Sequence, residues 1–285
     1  MRVSVTRIRG MKAKGERIPM VTAYDYPTAR VVDEAGIPLI LVGDSLGTLV
    51  LGFENTIPVT MDMMVHHTRA VVRGAANALV VADMPFMSYE VSVEEGMRNA
   101  ARLIQEGGAQ AVKLEGGAPV GPLVRRLVEA GIPVMGHIGL TPQSVYRIGG
   151  YRVQGRTAES GARLVRDAQL LAEAGVFAMV LEEVAAPVAR LVTRAVPVPT
   201  IGIGAGPHCD GQVLTLHDLL ALPSDLGLKH NKVYANVGDV MRQAVAAYAG
   251  EVRSGAFPTA AQSFDMPAEE LLALEAELGL TVAGG

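Results

Sequence analysis

The stretch Ala35-Gly36-Ile37-Pro38-Leu39-Ile40-Leu41-Val42-Gly43-Asp44 contains the local signals that decide the fold. Gly36 is typical of a helix end, and Pro38 follows at a point where a helix cannot continue. Residues 39–43 form a continuous apolar run, which is typical of a strand buried on both faces of a parallel sheet. Asp44 directly follows that run, so the predicted strand is followed by a charged side chain at its carboxyl end.

The same signals recur along the chain, for example where Gly131 precedes Ile132-Pro133. Apolar runs predict strands at residues 19–23, 39–43, 78–82, 111–114, 133–136, 177–181 and 199–203, with helical patterns between them. A poorly marked eighth strand is predicted at residues 228–235, where Lys229 and His230 interrupt it. This alternation favours an α/β fold, a single-domain (β/α)8 TIM barrel, over a doubly wound open sheet. We expect the barrel to span residues 1–264 and a C-terminal extension, with a helix at residues 267–278, to span residues 265–285.

Composition excludes several classes of protein. Of 285 residues, 49% are apolar and 19% are charged, which is too hydrophobic for a disordered chain. The net charge of −4 leaves no basic surplus for a nucleic-acid partner. No apolar run is long enough for a membrane span, and the N-terminus lacks the apolar region of a secretory signal, so we expect a cytoplasmic protein that does not bind membranes.

A few charged side chains interrupt or directly follow the predicted strands: Asp44, Asp83, Lys113, Glu115, His137 and Glu182. In a barrel, these positions meet at the carboxyl ends of the strands, where active sites are built. Lys113 and Glu115 are two residues apart, so they share one face of their strand. Lys113 alone among the lysines lies inside a core strand, which indicates either a functional group or a structural Lys–Glu ion pair.

Asp44, Asp83 and Glu115 would bring three carboxylates from different strands together. Hard oxygen ligands without a His or Cys cluster suit Mg²⁺ better than zinc. The alternative for each Asp alone is a helix N-cap, above all for Asp83. Glu182 is available as a general base, whereas Glu183 faces the other side of its strand and is expected to form a structural pair.

Two loops also stand out. Residues 202–206 read Gly-Ile-Gly-Ala-Gly, which indicates either a phosphate-binding loop or, as we expect, a tight turn. Residues 141–155 form a connection that is too long for an ordinary loop and is interpreted as a lid over the site.

Six segments together resemble the ketopantoate hydroxymethyltransferase family: residues 22–26, 42–47, 82–86, 112–117, 136–144 and 202–211. The resemblance runs in order from about residue 15 to residue 264. It implies a barrel of the phosphoenolpyruvate/pyruvate superfamily and a homo-oligomer, commonly a decamer. It also implies transfer of a hydroxymethyl group from 5,10-methylenetetrahydrofolate to 3-methyl-2-oxobutanoate in pantothenate biosynthesis.

Carried over to this chain, the resemblance implies that Asp44 and Asp83 hold Mg²⁺, with Glu115 bound directly or through water. It implies that Ser45 and Lys113, with Asp44 and Asp83, bind the keto acid, and that Glu182 is the base. His137 is a possible additional site residue.

The chain departs from the family pattern at residues 228–230, at Gln262 and after Asp265, none of which is among the proposed metal or base positions. Two other functions stay open: a lyase or mutase of the same superfamily acting on another 2-oxo acid, and a catalytically silent barrel. Lyases and mutases of that superfamily tend to carry a cysteine on a mobile loop, whereas the single cysteine here, Cys209, follows the seventh predicted strand. A silent barrel has no reason to keep five costly charges at strand ends.

Overall fold

The computed structural model describes residues 2–222 and 230–280. By its contacts the chain divides into two compact units, Met1–Ala235 and Asn236–Gly285, a division that falls earlier than the boundary predicted at residue 264. The first unit is a closed barrel of eight parallel strands in sequential order, in which the last strand pairs with the first. The strands are β1 (Ile18–Thr22), β2 (Leu39–Val42), β3 (Leu79–Asp83), β4 (Ala111–Glu115), β5 (Val134–Gly139), β6 (Ala178–Glu182), β7 (Thr200–Ile203) and β8 (Gly211–Leu214). The predicted barrel is confirmed and the open sheet is wrong.

Helices cover the outside of most strands. In the first unit they are α1 (Val5–Ala13), α2 (Tyr26–Glu34), α3 (Leu46–Leu49), α4 (Met61–Gly74), α5 (Val93–Gln105), α6 (Gly121–Glu129), α7 (Val145–Ile148), α8 (Ala158–Ala174), α9 (Ala186–Ala195) and α10 (Leu216–Leu219). The second unit contains α11 (Val237–Ser254) and α12 (Ala268–Leu278), which confirms the predicted terminal helix. Polar N-caps start several of them: the side chains of Asp25, Thr60 and Ser92 each accept a backbone N–H of the first turn.

The seven predicted apolar strands are confirmed, because their residues are buried on both faces. Every residue of β2, β3 and β4 is buried, between the barrel interior on one side and the helices on the other. Such burial needs a continuous apolar run, and this is the signal that the sequence displays.

The predicted eighth strand is wrong. Residues 228 and 229 lie outside the described residues, and residues 230–235 form no strand. The barrel closes with β8, Gly211–Leu214, whose side chains alternate between buried and exposed. Only seven residues separate β7 from β8, which leaves no room for a helix, so the strand–helix alternation that predicts the other strands fails here.

Inside the barrel, alternate residues of the strands form apolar layers. Leu39, Leu79, Ala111 and Met135 belong to one buried cluster with Ile8 and Met11 of α1. The Lys12 ammonium donates to the carbonyls of Thr193 and Val198, which precede β7, so α1 lies across the amino ends of the strands. The barrel is therefore filled and closed at that end.

Within the described residues, no helix combines the length and apolar character needed to cross a bilayer. The cytoplasmic location stays a prediction.

Candidate active site

Side chains that point into the barrel are apolar near the amino ends of the strands and polar at their carboxyl ends. Asp83, Glu115 and Glu182 are the last residues of β3, β4 and β6, and His137 lies near the end of β5. Lys113 precedes Glu115 by two residues and shares its face, and Asp44 follows β2 by two residues. The structure therefore brings all of these predicted residues to one end of the barrel. All but Glu182 are buried.

Asp83 connects two of its neighbours. Its Oδ1 lies 2.5 Å from the Nζ of Lys113, and its Oδ2 accepts the backbone N–H of Asp44 at 3.1 Å. Lys113 therefore pairs with Asp83 from the adjacent strand, and not with Glu115 as the structural ion-pair interpretation supposed. Neither oxygen of Asp83 caps a helix, so the N-cap alternative for this residue is wrong.

His137 lies between two carboxylates. Its Nδ1 is 3.5 Å from Oε1 of Glu115, and its Nε2 is 3.3 Å from Oε2 of Glu182. The Glu182 side chain is 20% exposed, whereas those of Glu115 and His137 are almost completely buried. Glu182 is therefore the carboxylate of this row that solvent and a substrate can reach.

The site holds more negative than positive charge. Burial and then the charge of Asp83 raise the pKa of Asp44 to about 7, although Lys113 and a hydrogen bond from Gln143 oppose this. Burial and the charge of Asp44 raise the pKa of Glu115 well above its usual value. Burial alone would lower the pKa of Lys113, but the charges of Asp83, Glu115 and Asp44 outweigh it and raise that pKa. Lys113 thus stays charged and does not balance the carboxylates around it.

Ser45 follows Asp44 at the start of α3 and is held by Tyr24. The two hydroxyl oxygens are 2.8 Å apart, and burial raises the pKa of the Tyr24 phenol, so this phenol stays protonated. A Cβ on Gly43 would come 2.6 Å from the Ser45 oxygen and 3.6 Å from Asp83. Glycine at this position lets the loop pass close to both side chains.

Sequence reasoning missed two residues of the site, Gln143 and Tyr89. Gln143 donates to two of the carboxylates, and Tyr89 donates to Gln143. The Gln143 amide nitrogen donates to Oδ2 of Asp44 at 2.8 Å, and its backbone N–H donates to Oε2 of Glu115 at 3.0 Å. Tyr89 donates to the Gln143 amide oxygen at 2.6 Å. The segment 136–144 was recognised as a motif, but a loop glutamine has no signal of its own that predicts such contacts.

The segment interpreted as a lid passes beside the site. Burial, followed by the charges of Glu182, Asp44 and Glu115, raises the pKa of Tyr151. Gln154 forms an isolated bridge with Val184, and its N–H donates to the carbonyl of Glu183. Tyr151 is 40% exposed, so it stands between the carboxylates and solvent. Its movement as a lid stays a prediction.

The glycine-rich loop after β7 is a close turn. Gly204 and Gly206 have φ of +63° and +77°, which other residues rarely adopt. The Glu183 carboxylate occupies the space where a Cβ of Gly204 would stand, and it lies 2.5 Å from Nδ1 of His230. This geometry favours the turn over the phosphate-binding alternative, and it gives Glu183 the structural partner that was expected.

The donor set is suited to a hard divalent cation. Asp44, Asp83 and Glu115 offer only oxygen atoms. Burial and neighbouring carboxylates raise the pKa values of Asp44 and Glu115, and a bound cation would relieve this cost of ionisation. Within residues 2–222 and 230–280, no three His, Cys, Asp or Glu side chains are already grouped as a metal centre. The residues fit Mg²⁺ by chemistry and charge, with water completing the coordination that they leave open.

Comparison with known proteins identifies the family of the chain. The family model described as ketopantoate hydroxymethyltransferase matches residues 2–260. The chain is 59% identical to the 3-methyl-2-oxobutanoate hydroxymethyltransferase of Moorella thermoacetica over 92% of this chain and 98% of the relative. It is 55% identical to the enzyme of that name from Chloroflexus aurantiacus, over 96% of each chain.

Solved structures show the same fold at low identity. The phosphoenolpyruvate phosphomutase from Streptomyces platensis subsp. rosaceus superposes with a TM-score of 0.58 at 17% identity, covering 97% of this chain and 96% of that one. A 2,3-dimethylmalate lyase, described as a PEP mutase/isocitrate lyase superfamily member, gives a TM-score of 0.57 at 17% identity, covering 98% of both chains.

Fold and site together define a (β/α)8-barrel enzyme with its charged groups at the carboxyl ends of the strands. The match of the family model and of the named relatives over most of this chain identifies the particular enzyme. The chain belongs to the ketopantoate hydroxymethyltransferase family and is a hydroxymethyltransferase.

Proposed function

We propose that this enzyme transfers a hydroxymethyl group from 5,10-methylenetetrahydrofolate to 3-methyl-2-oxobutanoate, giving 2-dehydropantoate for pantothenate biosynthesis. The observation that carries the proposal is the single layer of Asp44, Asp83, Lys113, Glu115 and Glu182 at the carboxyl ends of the strands. A reaction through an enolate needs a base and a positive environment for the enolate oxygen, and this layer contains candidates for both.

Mg²⁺ would be held by Asp44 and Asp83, with Glu115 bound directly or through water. When bound, it would supply the positive charge that stabilises the developing enolate oxygen. Burial and neighbouring carboxylates raise the pKa values of Asp44 and Glu115, and the ionisation cost that a cation would relieve supports a cation at this position.

Glu182 takes the proton from C3 of the keto acid, because it is the partly exposed carboxylate of the layer. The Nε2 of His137 lies 3.3 Å from one Glu182 oxygen, so the other oxygen is the one that the substrate would meet. Lys113 is fixed by Asp83 with its charge toward the substrate oxygens, and Ser45, held by Tyr24, donates to the substrate carboxylate. Water hydrolyses the methylene bridge of the folate to tetrahydrofolate and formaldehyde, with both C–N bonds broken. The carbanion carbon then adds to the formaldehyde carbon, and the formaldehyde oxygen takes up a proton to become the new hydroxyl group.

The two rival functions are less well supported. The relatives at more than 50% identity carry the hydroxymethyltransferase name, whereas the lyases and mutases are similar in fold alone. In this chain the thiol of Cys209 is buried after β7, away from the long loop at residues 141–155. A silent barrel would have no reason to bury Asp44, Asp83, Lys113 and Glu115 together.

The enzyme also self-associates in this proposal, as the expected decamer. The support is helix α11, on which apolar side chains are exposed along the second unit: Val240, Met241, Val245, Tyr248 and Val252. Exposed apolar surface of this kind marks interaction sites more often than it occurs on isolated chains.

One assay tests the proposed reaction. The enzyme is incubated with 3-methyl-2-oxobutanoate, MgCl₂ and 5,10-methylenetetrahydrofolate, and 2-dehydropantoate is measured by mass spectrometry. We expect product only when all three are present, and loss of product with EDTA. Turnover of the keto acid without the folate would instead indicate the lyase or mutase.

A further inference from the structure

Both polar atoms of the Gln143 side chain form hydrogen bonds within the site. Its Nε2 donates to Oδ2 of Asp44 at 2.8 Å and to the carbonyl of Met84 at 2.9 Å, so both amide protons are used. Its Oε1 accepts from Tyr89 at 2.6 Å. Gln143 is 5% exposed, so water cannot replace these partners readily.

Tyr89 determines which way round the Gln143 amide lies. The Tyr89 hydroxyl accepts the backbone N–H of Glu115 at 3.1 Å. Its own proton has two acceptors within reach, the Gln143 amide oxygen at 2.6 Å and the Glu115 carbonyl at 3.3 Å, and the nearer one is Gln143. The reversed amide would place Oε1 against Oδ2 of Asp44 and against the carbonyl of Met84, three acceptors without a donor. The hydrogen bonds therefore run in one direction, from Glu115 through Tyr89 and Gln143 to Asp44.

These contacts leave particular oxygens free. The Gln143 side chain binds Oδ2 of Asp44, and its backbone N–H binds Oε2 of Glu115 at 3.0 Å. Within the described residues, nothing donates a hydrogen bond to Oδ1 of Asp44, and Oε1 of Glu115 has only His137, at 3.5 Å. Each carboxylate thus has one oxygen bound by Gln143 and a second oxygen that Gln143 does not bind.

We propose that Gln143 is a positioning residue that, oriented by Tyr89, holds Asp44 and Glu115 so that each presents a single oxygen to the cation. This inference rests on the proposed magnesium site. The inference goes beyond the proposed magnesium site because it adds a residue that is not a ligand: Gln143, in the loop after β5, fixes Asp44 after β2 and Glu115 at the end of β4. A fixed carboxylate binds a cation more tightly than a mobile one, since the entropy of ordering is already lost.

The experiment compares four variants with the wild-type enzyme by calorimetric titration with MgCl₂ at one pH, together with melting temperature. Gln143→Met keeps the volume of the side chain but removes the amide. Tyr89→Phe removes only the hydroxyl, and the double variant tests whether the two act through one hydrogen bond. Gln110→Met is the matched control, because Gln110 makes a similar pair of backbone contacts, with Val80 and Gly108, at the amino end of β4.

We expect Gln143→Met to raise the Kd for Mg²⁺ about tenfold, within the range found for groups that orient metal ligands. Tyr89→Phe should raise it about threefold, as loss of one neutral hydrogen bond does. The double variant should match Gln143→Met alone, because Tyr89 acts through Gln143. Gln110→Met should lower the melting temperature and leave the Kd unchanged.

An unchanged Kd in Gln143→Met and in Tyr89→Phe, with lowered melting temperatures as in Gln110→Met, would overturn the inference and leave both residues structural. Additive effects in the double variant would overturn the role of Tyr89. If Gln143→Met does not fold, Tyr89→Phe alone decides between these results. Absence of Mg²⁺ binding by the wild-type enzyme would instead overturn the proposed metal site, and the two failures are therefore distinguishable.

Discussion

Glu182 and Glu183 are neighbours in the chain, but the barrel gives them different surroundings. Glu182 ends β6 with its side chain inward and partly exposed beside His137, whereas Glu183 has φ of +46° and pairs with His230. Alternation of side chains along a strand predicts that the two face opposite ways. The pairing of Glu183 with His230 could not be predicted, because it joins residues far apart in the sequence.

We expect Glu182→Gln to bind the keto acid but to stop exchange of its C3 proton with deuterated solvent, because the amide cannot accept a proton. Glu183→Gln is the matched control and should exchange at a rate near that of the wild type. The exchange is followed by proton NMR. Undiminished exchange in Glu182→Gln would remove this residue from the base position.

Substitutions of two buried aspartates distinguish an effect on Mg²⁺ binding from an effect on the stability of the fold. Asp44 lies in the carboxylate layer, whereas Asp33 accepts three backbone N–H groups, from Ala76, Asn77 and Ala78. We expect Asp44→Asn to weaken Mg²⁺ binding at least tenfold, because a ligand charge is lost. Asp33→Asn should lower the melting temperature with Mg²⁺ affinity intact, and equal affinities in calorimetry for wild type and Asp44→Asn would contradict the assignment.

The pKa of Asp44 gives a pH dependence with a defined sign. The folded protein raises this pKa from 3.8 to about 7, so it holds the proton more tightly than the unfolded chain does. The resulting stability is complete below about pH 4 and is lost as the pH rises to about 7. A bound cation favours the charged form, so the increase in melting temperature caused by MgCl₂ should be larger at pH 8 than at pH 6.

Melting curves with EDTA and with MgCl₂ at the two pH values check this, and Asp44→Asn, which lacks the titrating carboxyl group, serves as the control. The pH dependence of the magnesium effect should be much smaller in that variant. A magnesium effect of equal size at both pH values in the wild type would contradict the expectation.

At the level of elements, the end of β5 must come very close to the end of β6. Gly139 has φ of +102°, and a Cβ there would overlap the backbone carbonyl oxygen of Glu182. The same carbonyl accepts the N–H of Leu140 at 2.8 Å. The position of Glu182, the proposed base, therefore depends on a glycine in the neighbouring strand.

We expect Gly139→Ala to destabilise the fold by at least about 2 kcal/mol and to lower kcat, because the overlap displaces Glu182. Gly131→Ala is the control: its φ is +87°, but a Cβ there meets nothing within 4 Å, so strain alone should cost about 1 kcal/mol. Denaturant unfolding and steady-state kinetics separate the two effects. A Gly139→Ala enzyme with normal kcat would show that Glu182 tolerates the shift.

The elements also show where sequence patterns are informative. The buried strands were predictable because burial on both faces requires continuous apolar residues. Strand β8 was not, because Gly211-Gln212-Val213-Leu214 is short, alternates in burial and follows a connection without a helix. Gln143 and Tyr89 were missed for a related reason, since their contacts depend on loops whose paths no periodicity describes.

At the level of the whole molecule, the exposed apolar side chains of α11 predict an assembly. We expect light scattering after size exclusion to give a mass ten times that of one chain. Val245→Glu, on the exposed side of α11, should lower that mass, because a charge at an apolar contact is costly. Glu251→Gln on the same helix is the control and should leave the mass unchanged, whereas a monomeric wild-type enzyme would contradict the proposal.

The apolar layers that fill the barrel, with α1 across their lower end, close that end, so ligands reach the charged side chains from the carboxyl ends of the strands. Whatever binds deepest must therefore bind first and leave last. Asp44, Asp83 and Glu115 are buried and Glu182 is partly exposed, so for the proposed reaction we expect an ordered addition: the cation, then the keto acid, then the folate. For the proposed reaction we expect release in the reverse order, so that the molecule nearest to solvent controls how long the others stay.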